Sequence, residues 1–396
     1  MRFATTAQDG TSFQYNDAKR WLWLVGGAWT FGVPYVAAAI FFATGGALWT
    51  VFLLPLHIFV IVPVIDYFVG EDRDNPPEPI AEVMTADPFY MRMIHILVLL
   101  GYASVIGGMW FVMSQNLPVW AGVITIAILG LHNGTLITLA HELGHKTNKL
   151  DRFFAKLSLG AVGYGHFMVE HNLGHHKNVS TPEDCASARM GESVYAFATR
   201  ELPGAFLGAW RIEGERLKKR GHKLFSRHNE ILQSNAITLV FAGGLIAWLG
   251  PQVLPWFILH GALAYWGLTS VNYIEHYGLL RQKMPNGRYE LCAPRHSWNT
   301  DHTFSNIMQV QLQRHSDHHA NPMRPYQVLR SFDDVPRLPS GYPGCIALAA
   351  IPPLWFRVMD PRVMKWADGD LAKANIHGPA RPRLEQRWGG APGANA

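Results

Sequence analysis

The sequence is short of charge and nearly empty of cysteine, and each shortage excludes something. Only 16% of its 396 residues are Asp, Glu, Lys or Arg, against about 25% in soluble domains. The three cysteines, Cys185, Cys292 and Cys345, lie far apart with no C-x-x-C. That excludes a disulfide framework, a zinc ribbon and a four-cysteine iron–sulfur site. No G-x-G-x-x-G follows a strand pattern, so no dinucleotide-binding unit is encoded. Residues 1–20 are polar, with Asp9, Asp17, Lys19 and Arg20, and lack the short apolar core of a signal peptide.

What is present is apolar length. Residues of the hydrophobic types make up 49% of the chain, including 14 Trp. Six stretches approach the ~20 residues needed to cross a bilayer: Trp21–Ala43, Ala47–Val69, Met93–Met113, Pro118–Ala140, Ile231–Leu249 and Leu254–Asn272. Pro34, Pro55 and Pro63 fall inside the first two, which membrane helices tolerate better than soluble ones. Trp21, Trp23, Trp110, Trp120, Trp248 and Trp256 fall near span ends, as an aromatic belt requires. The short connections Thr44–Gly46, Ser114–Leu117 and Gly250–Val253 carry no Lys or Arg, whereas residues 146–230 carry 14 against nine acids. The positive-inside rule therefore puts both termini and every long loop in the cytoplasm. The acidic loop after the second span (Glu71, Asp72, Asp74, Glu78, Glu82, Asp87) is an exception that weighs little in that rule.

The fold class expected is an all-α integral membrane protein with six transmembrane helices and a histidine-rich site on the cytoplasmic side. Residues 1–20 form a cytoplasmic segment, 21–365 the membrane catalytic domain, and 366–396 a flexible tail or linker. Phe206–Glu230 reads as an amphipathic helix on the inner leaflet, and Cys345–Phe356 as a buried or interfacial segment. The net charge of +5 is explained by basic loops at a membrane surface, so no nucleic-acid partner is expected.

The 19 histidines are unevenly placed. His141 and His145 form one box, His171, His175 and His176 a second, and His315, His318 and His319 a third; His276 stands alone just past the sixth span. Spacings of three and four put side chains on one helix face, so each box can present its imidazoles to one point. All four segments emerge at the same membrane face. Nine histidines are too many for one zinc and suit two metals with four or five ligands each. Imidazole accommodates Zn, Cu, Fe and Ni. Ferritin-like sites need Glu-x-x-His from two helices, and Glu142–His145 is the single match. His57, His132 and His260 lie within spans. At ~100° per residue, His132 and His260 are out of phase with His141 and His276.

The strings HELGHKTN from His141, EHNLGHHKNVSTPEDCASARM from Glu170, NYIEHYGLLR from Asn272 and LQRHSDHHAN from Leu312 resemble those of the integral-membrane alkane 1-monooxygenases. The segment N-Y-x-E-H-Y-G separates that family from fatty-acid desaturases and sterol-type hydroxylases. The resemblance covers about residues 15–365. It implies six spans, two iron ions held by the nine box histidines, and oxidation of an n-alkane by O2 to a primary alcohol. It also implies electrons from rubredoxin, which an NADH-dependent reductase supplies, and location in a bacterial-type cytoplasmic membrane. Ligating imidazoles need their second nitrogen oriented, and Glu142, Glu170, Glu275 and Asp317 adjoin ligands as candidate acceptors. A related fatty-acid or carotenoid hydroxylase is the nearest alternative. His141-Glu142-x-x-His145 also matches the H-E-x-x-H of zinc proteases, with Glu142 as general base, and a metal transporter is a non-catalytic option. No electron carrier is encoded, so one must come from a partner or from a domain fused beyond Ala396.

Overall fold

Apolar runs without Lys or Arg leave the backbone no partner in lipid except itself, so they coil. In the computed structural model, which describes residues 1–389, a hairpin comes first. Strands β1 (Arg2–Thr6) and β2 (Ser12–Asn16) pair antiparallel with Phe3 opposite Tyr15, the one sheet among the described residues. Helices α1 (Leu22–Ala43), α2 (Leu48–Val69), α3 (Glu78–Ala86), α4 (Pro88–Ser114) and α5 (Val119–Gly144) follow. Then come α6 (Lys149–Gly160), α7 (residues 167–178), α8 (Val194–Lys219), α9 (Glu230–Leu249) and α10 (Val253–His276). The remainder contains α11 (Thr303–Met308), α12 (His315–Ala320), α13 (Tyr342–Ala349), α14 (Pro352–Trp366) and α15 (Arg381–Trp388).

Among the described residues, α1, α2, α4, α5 and α9 are long and apolar enough to cross a membrane. Their outer faces are apolar too: Leu239 and Val240 of α9 are 73% and 77% exposed, which is unfavourable in water and natural against lipid. The sixth expected span falls in α10, whose 24 residues are long enough. His260, Asn272 and Glu275 make it more polar, and it packs centrally against α5. In α2, a π turn at His57–Ile61 precedes Pro63 and absorbs its missing amide.

Ion pairs show which helix ends lie together. Lys19, before α1, pairs with Asp72 after α2. Arg20 reaches Asp87 at the start of α4 (2.5 Å), and Arg152 of α6 reaches Glu230 at the start of α9 (2.5 Å). The acidic loop after α2 is thus bound to cations of this same end.

The α5–α10 contact is close because Gly130 has no side chain: a Cβ there would collide with the His260 carbonyl. Gly130→Leu is expected to force the pair apart at a cost of about 1–3 kcal/mol, the usual penalty of overpacking. Earlier aggregation in a detergent thermal ramp would register it, and an unchanged ramp would contradict the packing.

Three expectations are corrected. The tail from 366 is not a flexible linker up to residue 389. Asn375 donates its amide to Gly278, Met190 donates to Asn375, and Leu384 of α15 is 1% exposed within an apolar cluster; residues 390–396 lie outside the described residues. The amphipathic helix begins at Val194, not Phe206, and ends at Lys219. The segment 345–356 is split between α13 and α14, with the break ahead of Pro352 where a proline can start a helix but not continue one.

Candidate metal centre

α5 carries His141 and ends beside His145, α7 supplies His171, His175 and His176, α10 ends on His276, and α12 supplies His315, His318 and His319. The fold brings all nine together as two sets. One holds His141, His145, His171, His176 and His318; the other holds His175, His276, His315 and His319. Within each set one ring nitrogen per residue lies within 4.8 Å of all the others. The sets do not follow the boxes. The second and third boxes each straddle both, so the expectation that one box serves one point holds for His141 and His145 alone. A π turn over His171–His175 explains the second box. Its i→i+5 bonding sets His176 edge-on against His171, Nε2 to Nε2 at 3.0 Å, and turns His175 toward the other set.

The donor atoms fit metal ions. Nε2 of His141, His145 and His175 is buried with no hydrogen-bond partner. Nε2 of the other six each faces another Nε2: His318 to His176 at 3.1 Å, His319 to His315 at 2.9 Å, His315 to His276 at 3.3 Å. Buried polar atoms left in this state cost several kcal/mol together unless something satisfies them. Burial pulls the imidazoles of His171, His315, His318 and His319 well below their ordinary pKa and takes His145 to about 4. Neutral rings with a free lone pair are what a metal requires. Burial also opposes charge on His175, but the carboxylates of Asp184, Glu170 and Glu275 outweigh it and raise its pKa to about 9.

Of the four acids beside the boxes, Glu275 touches an imidazole. One carboxylate oxygen lies 3.2 Å from His315 Nε2 and the other accepts from the Tyr342 hydroxyl at 2.6 Å. Glu142 instead pairs with Lys146 at 2.7 Å. Asp317 accepts from the Arg330 amide and Asn321, so it fastens the third-box loop. Glu170 is half-buried beside Asp184 and Cys185, and desolvation foremost raises it to about 8. Asp184 was missed by sequence reasoning. Its Oδ2 accepts from His175 Nδ1 at 2.9 Å, and its place within the second box's long string was the available signal. Arg314 was also missed. Its guanidinium, 2% exposed, donates to the Asp72, Asp74 and Leu329 carbonyls and ties the third box to the acidic loop.

The span histidines stay out of both sets. Trp29 donates to His57, whose Nδ1 is 3.2 Å from His132 Nε2, and His132 Nδ1 reaches the Ile128 carbonyl. His260 bonds Asn133 at 3.0 Å.

Comparison with known proteins agrees with this geometry. The family model described as Fatty acid desaturase matches residues 114–347, which contain every box. An alkane 1-monooxygenase of Alcanivorax borkumensis is 45% identical over 96% of this chain and 94% of its own. One from Pseudomonas putida is 45% identical over 95% and 93%. The hydroxylase component of a xylene/toluene monooxygenase from the same species is 26% identical over 63% and 73%.

Proposed function

The chain belongs to the alkane 1-monooxygenase family, in the membrane superfamily of histidine-box enzymes, and from that premise we propose that it is a di-iron enzyme hydroxylating the terminal carbon of n-alkanes with electrons from rubredoxin. The observation that carries this reading is the partition of nine imidazoles, seven buried and two (His145 and His176) half-buried, into sets of five and four with their Nε2 atoms turned inward. Two irons, one per set, would supply the redox chemistry for O2 and an unactivated C–H bond, which no side chain can supply.

The protein's own part is to hold, orient and exclude. Helix ends fix His141 and His276, while hydrogen bonds fix His175 through Asp184. Glu275 is fixed by Tyr342 beside His315. All four histidines of the second set and three of the five in the first are buried, which limits the access of bulk water to the reacting carbon. The alkane arrives from the bilayer, where it is dissolved, between helices whose outer faces are apolar. With α10 as the sixth span, the histidine sets and the basic stretch 146–230 lie at the cytoplasmic face, where NADH-derived electrons are available. The balanced reaction turns a methyl group, O2, two electrons and two protons into a primary alcohol and water.

The test is metal content and product analysis on detergent-purified protein supplied with rubredoxin, its reductase, NADH and octane. About two irons per chain and 1-octanol as the product are expected. A single zinc, with proteolysis abolished by Glu142→Gln and no octane oxidation, would overturn the reading in favour of the H-E-x-x-H alternative.

A further inference from the structure

A redox centre fed by a carrier protein must offer that carrier a landing place near its ligands. The stretch 281–291 has the form of one. Residues 282–290 make a tight hairpin: Lys283 bridges Tyr289, Met284 donates to Arg288 at 2.8 Å, and Asn286-Gly287 turns the chain with Gly287 at φ 78. Its outer side shows two apolar residues, Leu291 at 86% and Met284 at 39% exposure. Lys177, Lys283, Arg288 and Arg295 are exposed on this stretch and the segments joined to it, and none of the four has an ion-pair partner among the described residues; the acids here are fewer, Glu183 accepting from the Tyr289 hydroxyl at 3.3 Å and Glu290 pairing with His296. Its inner side is fastened to the end of α7 and the residues that follow it. Arg281, 8% exposed, donates its amide to Ser180 at 2.7 Å and its guanidinium to the Lys177 carbonyl at 3.1 Å and to the Glu290 carbonyl. Lys177 directly follows His176 of the five-histidine set.

We infer that this hairpin and Lys177 form the docking surface for a small acidic electron-carrier protein, with Leu291 and Met284 at its centre and the four cations as its rim. The inference rests on the monooxygenase reading above. An apolar centre with cations in excess at its edge is the pattern of a transient, electrostatically steered contact. The covalent and hydrogen-bonded route from the rim to His176 is short. The open groove between α3 and residues 320–328 lacks such a set of unpaired cations: its Arg324 is paired with Glu78, and Glu82 lies in the same lining.

The experiment uses the iron-loaded full chain in nanodiscs with purified rubredoxin as the probe. It compares the parent with Lys283→Glu/Arg288→Glu, Leu291→Ser and the control Glu82→Gln. For the charge-reversed chain, both Kd and KM for rubredoxin are expected to rise about tenfold and to lose most of their salt dependence. Leu291→Ser should raise Kd at all salt concentrations, and Glu82→Gln should leave it unchanged. Octane turnover driven by a small photochemical reductant, which needs no docking, should be equal in all four. Kd and KM within about twofold of the parent in both hairpin variants would overturn the inference. A parent that binds rubredoxin at the hairpin but oxidises no alkane with any donor would instead sink the monooxygenase reading and leave the surface standing.

Discussion

His276→Ala is expected to lower bound iron from about two to about one per chain and to abolish octane oxidation, whereas His318→Ala should abolish oxidation with a smaller loss of metal. The asymmetry follows from the division of the nine imidazoles. His276 belongs to the four-membered set, where its ring lies 4.9, 5.2 and 5.0 Å from those of His175, His315 and His319; without it three imidazoles remain. His318 belongs to the five-membered set, and four remain when it is lost. His276 is wholly buried, so water cannot readily enter to replace the missing nitrogen. Loss of a directly binding imidazole exceeds the 10–100-fold that removal of a mere orienting partner costs. His276→Gln, which keeps more of the volume, guards against a folding artefact. Iron measured per chain and 1-octanol formed per iron are the readouts. Equal metal loss from both variants would show that the two sets do not bind independently.

The membrane character, the helical class and the gathering of the nine histidines were legible in the sequence because each rests on a local pattern. Apolar length needs no tertiary context. The i,i+4 pair His141 and His145 leaves the end of a span at a defined height. What was not legible depends on geometry between segments. The sets of five and four arise from a π turn in the second box, which nothing in H-N-L-G-H-H announces, and from the way α12 lies across both sites. The acidic loop after α2 looked like an exception to a charge rule. It receives Lys19 and the buried Arg314, a pairing across 242 residues of sequence between Asp72 and Arg314. Proximity in sequence misled for Asp317 and Glu142, which adjoin box histidines yet bind Arg330, Asn321 and Lys146, because a helix sends neighbouring side chains to different faces. Composition misled for the tail. Gly and Pro mark loops, but Ile376 and Leu384 anchor this one against the apolar cluster of Tyr277, Trp355 and Met359.

The acid that does orient an imidazole gives the second large effect. Asp184→Asn is expected to reduce iron retention and octane turnover by about 10–100-fold, the range for losing the outer partner of a metal-bound histidine. The side chain of Asp184 is 1% exposed and both of its oxygens are engaged. Oδ2 takes the His175 Nδ1 proton at 2.9 Å and the Ser187 hydroxyl at 2.6 Å, while Oδ1 takes the Ala186 amide at 3.0 Å. An asparagine has one acceptor oxygen and one donor nitrogen. If its oxygen serves His175, its NH2 meets the Ala186 N–H, and two donors face each other in a buried site. If it turns over, the NH2 meets His175 Nδ1–H, and the ring must flip or take the other tautomer. That would place a proton on Nε2, where the four-histidine set needs a lone pair. Ser187→Ala removes a donor from the same oxygen and the acceptor of the Ser180 amide without touching His175, and should lower stability while leaving iron content and turnover per iron near the parent's. A loss confined to thermal stability, with iron per chain and turnover per iron unchanged in Asp184→Asn, would reduce Asp184 to a packing residue.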